Sequence, residues 1–228
     1  MKVYAGIAVA STIVLYLVYH AVVVSSVLNR LRDTVTGVLA KRLAGVIILG
    51  GGCAVTVWLF LPFDLADLGL TLAIPPSTWL WVGGASVFIV IGCIATAHKP
   101  ENFEVYPEMR VPRWGGGPVA ANFVSCGLYM FAYEFLFRGF LLFACLAAMP
   151  AAFAIAINTV LYVLAHVPKG PREALGSIPL GVVLCLSAIE TGAIWAAFLI
   201  HVIMSQLNDY LAVRANPEMR FAFRGLGR

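Results

Sequence analysis

Residues 118–149 read PVAANFVSCGLYMFAYEFLFRGFLLFACLAAM, and the only charged side chains in this run are Glu134 and Arg138. An α-helix rises 1.5 Å per residue, so about 20 apolar residues are enough to cross ~30 Å of hydrocarbon. A run of this length and composition therefore predicts a helix that spans a lipid bilayer.

The composition of the whole chain agrees with that prediction. Of its 228 residues, 61% are hydrophobic and 11% are charged, and the mean hydropathy is +0.93. A typical soluble domain has about 25% charged residues. A soluble fold of this length would not have enough polar residues to cover so much apolar surface. We therefore expect hydrocarbon to surround most of the protein.

Apolar runs long enough to span a bilayer recur along the sequence. They cover roughly 3–28, 44–62, 79–98, 118–149, 151–167, 176–191 and 193–213. These runs predict an all-α, polytopic transmembrane helix bundle with about seven spans. We divide it into a three-helix membrane region (1–117), a four-helix core (118–213) and a basic cytoplasmic tail (214–228). The first run is too long for the apolar core of a cleaved signal peptide, so we interpret it as a retained span.

The placement of cationic residues predicts the orientation. With seven spans and the N-terminus outside, the cytoplasmic segments contain thirteen Lys and Arg residues, and the opposite side contains Lys2 alone. Cytoplasmic loops of membrane proteins carry an excess of Lys and Arg, so we predict an N-out, C-in topology and a prokaryotic inner-membrane location. The thirteen are Arg30, Arg32, Lys41, Arg42, Lys99, Arg110, Arg113, Lys169, Arg172, Arg214, Arg220, Arg224 and Arg228.

Other features of the composition exclude classes of partner. The net charge of +4 is too small to indicate nucleic-acid binding. The five cysteines fall inside apolar runs without CxxC spacing, so we expect small buried hydrophobic residues and neither a metal site nor a disulfide framework. We expect no cofactor, and the sequence does not predict an oligomeric state.

Ionisable side chains within the predicted spans are the candidate functional residues, because such groups are costly in a bilayer. They are Glu134, Arg138, His166, His201 and Asp209. Asp209 is close to the end of the last span, where we expect it to meet water or Arg214.

Glu134 and Arg138 are four residues apart, so they share a helix face and can form an ion pair. We assign Arg138 a structural role in this pair. Pro150 marks the turn between the fourth and fifth spans, and Glu134 and His166 are each sixteen residues from it. In an antiparallel hairpin these two residues lie at the same depth, which predicts a carboxylate–imidazole pair that activates water.

His201, Ser205 and Asn208 form a polar stripe along one face of the last span. Such a stripe faces protein or water, where it serves either interhelical hydrogen bonding or the stabilisation of an oxyanion. His201 is only nine residues past Gly192. A simple turn at the membrane surface would leave it about 10 Å short of the level of Glu134, given the helical rise. Either the turn is recessed into the bilayer or the helices are offset.

Three segments together resemble the motifs of one family. Tyr133-Glu-Phe-Leu-Phe-Arg-Gly139 resembles an EExxxRG box, Tyr162-Val-Leu-Ala-His166 resembles FxxxH, and residues 191–201 (TGAIWAAFLIH) resemble TGSxWxxxxxH, which opens an HxxxN box. These boxes belong to the CAAX prenyl protease and bacteriocin-processing family, which are glutamate-dependent intramembrane proteases. The similarity covers about residues 130–208.

The resemblance implies metal-free amide hydrolysis of a membrane-associated protein or peptide substrate. In the mechanism that the resemblance implies, a glutamate of the first box and His166 activate water, and His201 helps to hold the oxyanion. Two positions depart from the motifs. The first glutamate of the EE pair is Tyr133, so Glu134 is the one glutamate left in this box. Adjacent helical residues differ in direction by about 100°, so Glu134 can take the place of the first glutamate only through a local helix distortion. The asparagine of HxxxN is Ser205, which we include among the candidate catalytic residues, with Asn208 as a structural neighbour on the same face.

Two other hypotheses stay open at this point. A non-catalytic relative would use the same helical cavity to bind or scaffold a membrane partner, and the changes at Tyr133 and Ser205 are what it predicts. A transporter or channel would use intramembrane Glu and His side chains for protons, although the sequence shows no repeat that supports it.

Overall fold

We describe the fold from a computed structural model, in which residues 1–222 are described. Almost all of its regular structure is helical, with irregular stretches at connections. The α-helices are α1 (Lys2–Val23), α2 (Ser26–Arg30), α3 (Val35–Gly45), α4 (Gly52–Phe60), α5 (Ser77–Thr96), α6 (Pro100–Val105), α7 (Gly116–Glu134), α8 (Leu142–Leu146), α9 (Ala151–His166), α10 (Pro171–Thr191) and α11 (Trp195–Ala215).

Seven helical segments of the described chain are long and apolar enough to cross a membrane, which confirms the predicted all-α polytopic bundle. They are Lys2–Val23, Val35–Phe60, Ser77–Thr96, Gly116–Leu146, Ala151–Lys169, Pro171–Thr191 and Trp195–Ala215, numbered below as spans one to seven. The N-out orientation and the division at residue 117 stay predictions.

The second span begins nine residues earlier than the sequence suggested. We expected a loop up to residue 43 because Lys41 and Arg42 are charged, but both belong to α3. Arg42 is buried, and Glu108 neutralises it by an ion pair of 2.9 Å. The charges of Lys41 and Arg42 therefore do not end the span, because Glu108 pairs with both.

Spans two and four each contain a π-helical segment. In span two it is Val46–Gly51, and in span four it is Phe135–Leu141, which follows Glu134 directly and contains Arg138. Span four lies at the centre of the bundle, and every residue from Ala132 to Leu142 is buried. A π-helical turn is rare and occurs often at functional sites. The segment begins after Glu134, so Tyr133 and Glu134 both lie in the regular α-helix α7.

The connection between α10 and α11 is partly buried: Gly192 is exposed, but the two residues that follow it are packed inside the protein. Ala193 and Ile194 are fully buried, and the Ile194 amide donates to the carbonyl oxygen of Gly69 at 3.1 Å. The Trp195 indole donates to the Thr71 carbonyl at 2.8 Å. Segment 61–76, which joins spans two and three, thus covers this connection. His201 does reach Glu134 across the bundle, and the recessed turn and the offset of the helices both stay predictions.

The connections 24–34, 97–115 and 167–170 and the segment after Ala215 lie at one end of the bundle, called the basic end below. Here two short parallel strands pair, β1 (Arg113–Trp114) with β2 (Arg220–Phe221). Trp114, Met109, Val38 and Val213 form a small hydrophobic cluster beside them. The predicted tail cations Arg224 and Arg228 lie outside the described residues.

Candidate active site within the bundle

Glu134 is at the centre of the candidate site. Its side chain is 0% exposed. One carboxylate oxygen, Oε1, lies 2.5 Å from Nδ1 of His201, and the other, Oε2, lies 3.3 Å from the Arg138 guanidinium. The ion pair with Arg138 is the one expected from the i, i+4 spacing. The contact with His201 joins spans four and seven, and the sequence did not predict it.

Arg138 is held by several groups besides Glu134. Its guanidinium lies 4.1 Å from the centroid of the Tyr162 ring and 3.5 Å from the carbonyl oxygen of Gly181. A side chain at position 181 would approach this guanidinium and the Tyr162 ring, so glycine permits the close passage of α10. Arg138 therefore joins spans four, five and six, in keeping with a structural role.

His166 is the last residue of α9, and it is 5% exposed. Its Nδ1 lies 2.8 Å from the carbonyl oxygen of Tyr162. Because a carbonyl oxygen can only accept, Nδ1 carries the hydrogen and Nε2 has a free lone pair in the neutral ring. The same reasoning applies to His201, whose Nδ1 faces a carboxylate oxygen.

The two histidines are linked by aromatic rings more than by Glu134. The Tyr133 ring is edge-on to both, with centroid distances of 6.2 Å to His166 and 5.8 Å to His201. Tyr162 contacts the same two rings, at 4.4 and 6.2 Å. Glu134 and His166 are brought into one region, but the described contacts of the carboxylate are with His201 and Arg138, not with His166. The equal distance of Glu134 and His166 from Pro150 therefore predicted the region of the site, but it did not predict that His201 is the histidine in contact with Glu134.

A polar cavity of about 580 Å³ reaches this region from the basic end. Tyr133, His166 and His201 border it, while Glu134 does not. Charged residues border the part toward the basic end: Arg32, Asp33, Lys41, Glu104, Glu108, Arg110 and Lys169. Tyr16, Tyr19 and His20 of the first span also border it, so the region that resembled no family contributes to the site.

A second cavity, of about 870 Å³, lies between α5, α10 and α11. Its walls are mostly apolar, with Trp81, Phe88 and Leu180 among them, and His166 borders it as well. His166 is therefore placed where an apolar and a polar cavity meet. Asn208 borders the apolar cavity.

Ser205 does not border either of these cavities within the described residues. Its hydroxyl lies 3.9 Å from the Met130 sulfur. Met130 itself borders the polar cavity, so Ser205 lies behind a residue of the cavity wall, one helical turn after His201. A catalytic role for Ser205 stays a prediction.

A buried network near the basic end was missed by the sequence reasoning. Arg42 donates to the Asn122 amide oxygen at 2.8 Å and pairs with Glu108, which also accepts from Lys41 at 2.8 Å. Asp209 accepts from Asn122 at 3.0 Å and lies 3.9 Å from Arg42, so our expectation that it meets water or Arg214 was wrong. The only signal in the sequence was that Lys41 and Arg42 adjoin an apolar run.

Glu108 lies in the connection between spans three and four and is held ionised by this network. Burial alone would raise its pKa, but the cations of Lys41 and Arg42 outweigh that effect and hold the pKa of the Glu108 carboxyl well below its ordinary value. The network ties α3, the 97–115 connection, α7 and α11 together at the end where the polar cavity opens.

No group of three or more His, Cys, Asp or Glu side chains with metal-binding geometry occurs among residues 1–222. The five cysteines are free and buried, as their sequence context predicted.

The fold and site define a multi-pass membrane protein with a buried Glu–His–Arg cluster, of which the histidine borders an internal cavity. Residues 115–207 match the family model described as Rce1-like, Type II CAAX prenyl endopeptidase Rce1-like. This segment contains all three motifs quoted above, so the match confirms the resemblance, and it is to a family of proteases. The comparisons with curated proteins and with solved structures gave no match.

Proposed function

We propose that this protein is an intramembrane endopeptidase that hydrolyses a C-terminal or membrane-proximal peptide bond of a membrane-associated protein. The observation that carries the proposal is the Glu134–His201 contact of 2.5 Å at the wall of a cavity that His166 also borders. The Rce1-like match over the same residues supports the protease class.

His201 is the proposed general base. Its Nδ1–H donates to Glu134, which leaves the Nε2 lone pair as the basic position of the ring. A carboxylate behind a histidine fixes its tautomer and stabilises the imidazolium that forms when it takes a proton. Glu134 thus acts through His201 and is a positioning residue, because it does not border the cavity itself. This role replaces the direct water activation by Glu134 that the resemblance implied.

His166 is the proposed second ligand of the attacking water. Its Nδ1–H is committed to the Tyr162 carbonyl, so its Nε2 accepts a hydrogen bond. A water molecule has two hydrogens, and two imidazole acceptors on one cavity can orient it. The water oxygen is then free to attack the carbonyl carbon.

The reaction follows from these positions. The water oxygen bonds to the scissile carbonyl carbon while one water proton passes to Nε2 of His201. The tetrahedral intermediate collapses as the C–N bond breaks, and the imidazolium of His201 returns its proton to the departing nitrogen. The products are a carboxylic acid and an amine, and no metal or cofactor is needed for the balance.

The two cavities suggest how a substrate would bind. The apolar cavity suits a lipid group or an apolar segment, and the polar cavity suits the peptide that follows it. His166, at their meeting point, would then be beside the scissile bond. A prenylated C-terminal peptide of the CAAX type, which the matched family's description names, has this two-part chemistry.

A non-catalytic relative is the second candidate function, and two specific observations favour it. Tyr133 occupies the position of the first motif glutamate, and Ser205 does not border the polar cavity. Such a protein would bind the same substrate without cleaving it.

The experiment is cleavage of a fluorogenic farnesylated CAAX peptide by the full chain reconstituted in liposomes. We expect turnover by the wild type and loss of at least about 100-fold in kcat in Glu134→Gln and His166→Ala. Glu101→Gln and His98→Ala, which change exposed residues outside the spans, are the matched controls and should keep full activity. Binding of the peptide without turnover by the wild type would favour the non-catalytic relative.

A further inference from the structure

We propose that the hydroxyl group of Tyr133 is the hydrogen-bond donor that stabilises the oxyanion of the tetrahedral intermediate. This inference rests on the proposed peptidase function and adds a catalytic residue to it. It also gives a chemical role to the position at which the chain departs from the EExxxRG motif.

The location of Tyr133 supports the inference. Its ring contacts both histidines, with centroid distances of 5.8 Å to His201 and 6.2 Å to His166, and it borders the polar cavity with them. The residue is 4% exposed, so its ring is held by packing, including a contact of 4.8 Å with Phe137. A phenol on a packed ring is a preorganised donor, because two torsion angles fix its position.

The proposed hydrolysis needs such a donor. In their neutral states both histidines use their N–H groups elsewhere, and each offers only an acceptor to the cavity. The developing negative charge on the carbonyl oxygen requires a donor, and a lone pair would repel it.

Other donors near the histidines are engaged or displaced. The Arg138 guanidinium pairs with Glu134, and the Tyr16 hydroxyl donates to the Ala165 carbonyl at 2.6 Å. The Tyr162 ring touches both histidines, but Tyr162 is fully buried and does not border the polar cavity. The phenol of Tyr133 contacts the same histidine pair and does border that cavity.

In the hydrolysis, Tyr133 donates a hydrogen bond and transfers no proton. As the water oxygen bonds to the carbonyl carbon, the electron pair of the C=O bond moves to oxygen, and the phenol O–H stabilises this charge. When the C–N bond breaks, the pair returns to form the C=O bond, and the hydrogen bond weakens again. The proton path through His201 is unchanged.

The test compares three variants in the reconstituted cleavage assay. Tyr133→Phe keeps the ring and removes the donor, so kcat should fall by about 10²–10³-fold with KM changed less than about twofold. Tyr133→Glu restores the motif residue but places an anion beside the oxyanion, so its kcat should be no higher than that of Tyr133→Phe. Tyr210→Phe removes an exposed phenol that borders neither cavity and should keep wild-type kcat.

A second readout separates catalysis from structure. A phosphinate analogue of the tetrahedral intermediate should bind Tyr133→Phe more weakly by the same factor as the loss in kcat, while the substrate-like peptide with a non-cleavable bond should bind both proteins equally. A purely structural role for Tyr133 would weaken both ligands.

The outcomes separate this inference from the proposed function. Wild-type cleavage that is lost in His166→Ala but retained in Tyr133→Phe would overturn the role of Tyr133 and leave the peptidase in place. Tyr133→Glu activity above the wild type would also overturn it, since the position would then favour a carboxylate. A wild type that binds the peptide but never cleaves it would overturn the proposed function itself.

Discussion

Nδ1 of His201 lies 2.5 Å from Oε1 of Glu134, although the two residues are 67 positions apart in the chain. The contact joins spans four and seven. Segment 61–76 holds the connection between α10 and α11, because the Ile194 amide donates to the Gly69 carbonyl and the Trp195 indole donates to the Thr71 carbonyl. Segment 61–76, which covers that connection, thereby contributes to the site without touching it.

If Glu134 acts through His201, their substitutions will be strongly non-additive. We expect Glu134→Gln and His201→Ala each to reduce kcat, and the double variant to be no slower than the slower single variant. The measurement is a double-mutant cycle on kcat with the farnesylated peptide. If the fold losses in kcat of the two single variants multiply in the double variant, the two residues act independently. Glu101→Gln combined with His201→Ala is the control pair, for which we expect the losses to multiply.

The contact between segment 61–76 and span four can be tested at Gly139. A Cβ atom at this position would lie 2.9 Å from the Leu68 carbonyl oxygen and 2.7 Å from the Phe135 ring. We expect Gly139→Ala to destabilise the fold by about 1–3 kcal/mol, the usual cost of overpacking. Thermal unfolding in detergent measures this.

Gly127→Ala is the matched control in the same span. A Cβ atom there meets nothing within 4 Å, so the substitution should leave stability unchanged or raise it, because alanine favours the helix. Equal melting temperatures for Gly139→Ala and Gly127→Ala would contradict the close packing of segment 61–76.

The network around Glu108 predicts a loss of stability in acid. A carboxyl group with a lowered pKa in the folded state contributes stability that is fully present above its unfolded-state pKa and is lost as the pH falls through its folded-state pKa. We therefore expect the melting temperature to decline once the pH drops below about 5. Melting curves in detergent between neutral and acid pH will show the decline.

Glu108→Gln isolates this contribution. It leaves the buried Arg42 with less compensation, so we expect a loss of about 3 kcal/mol at neutral pH, the lower end of the range for broken buried pairs. The variant should also lose part of the acid dependence. An unchanged pH profile would show that other carboxyl groups dominate it.

The apolar cavity predicts an effect on substrate binding without an effect on chemistry. Gly84 borders this cavity, and a side chain there would meet nothing within 4 Å. In the proposed enzyme, Gly84→Leu should raise KM for the farnesylated peptide several-fold and leave kcat nearly unchanged, because it fills space that the apolar group would use.

The neighbouring Gly83 provides the control. It is equally open but does not border the cavity, so Gly83→Leu should leave both parameters at wild-type values. A rise in KM that is the same for both variants would indicate a general effect on α5, and the cavity would not be the binding site of the apolar group.

Much of the fold could be predicted from residue patterns because the bilayer restricts the choice. Backbone groups in hydrocarbon must all be hydrogen-bonded, which only helices and closed β-barrels achieve. Residues 118–149 form a long, continuously apolar run without the alternation of a barrel strand, so they predict a helix. The same reasoning identified Glu134, Arg138, His166 and His201, since an ionisable residue in such a run stands out. Local spacing was also enough to predict the contact between Glu134 and Arg138.

The partners of these residues depended on tertiary structure, because they are set by the depth and rotation of helices far apart in sequence. No local pattern showed that His201 approaches the Glu134 carboxylate, so Glu134 was assigned to His166 and not to His201. Arg42 looked like a loop residue because Glu108 and Asn122, which compensate its charge, come from other segments. In the sequence, Tyr133 was notable only as the residue that replaces the first motif glutamate. Its contact with both histidines follows from the packing of spans four, five and seven. The sequence by itself thus determined which elements form and which residues are exceptional in them, and the tertiary structure decided which of those residues meet.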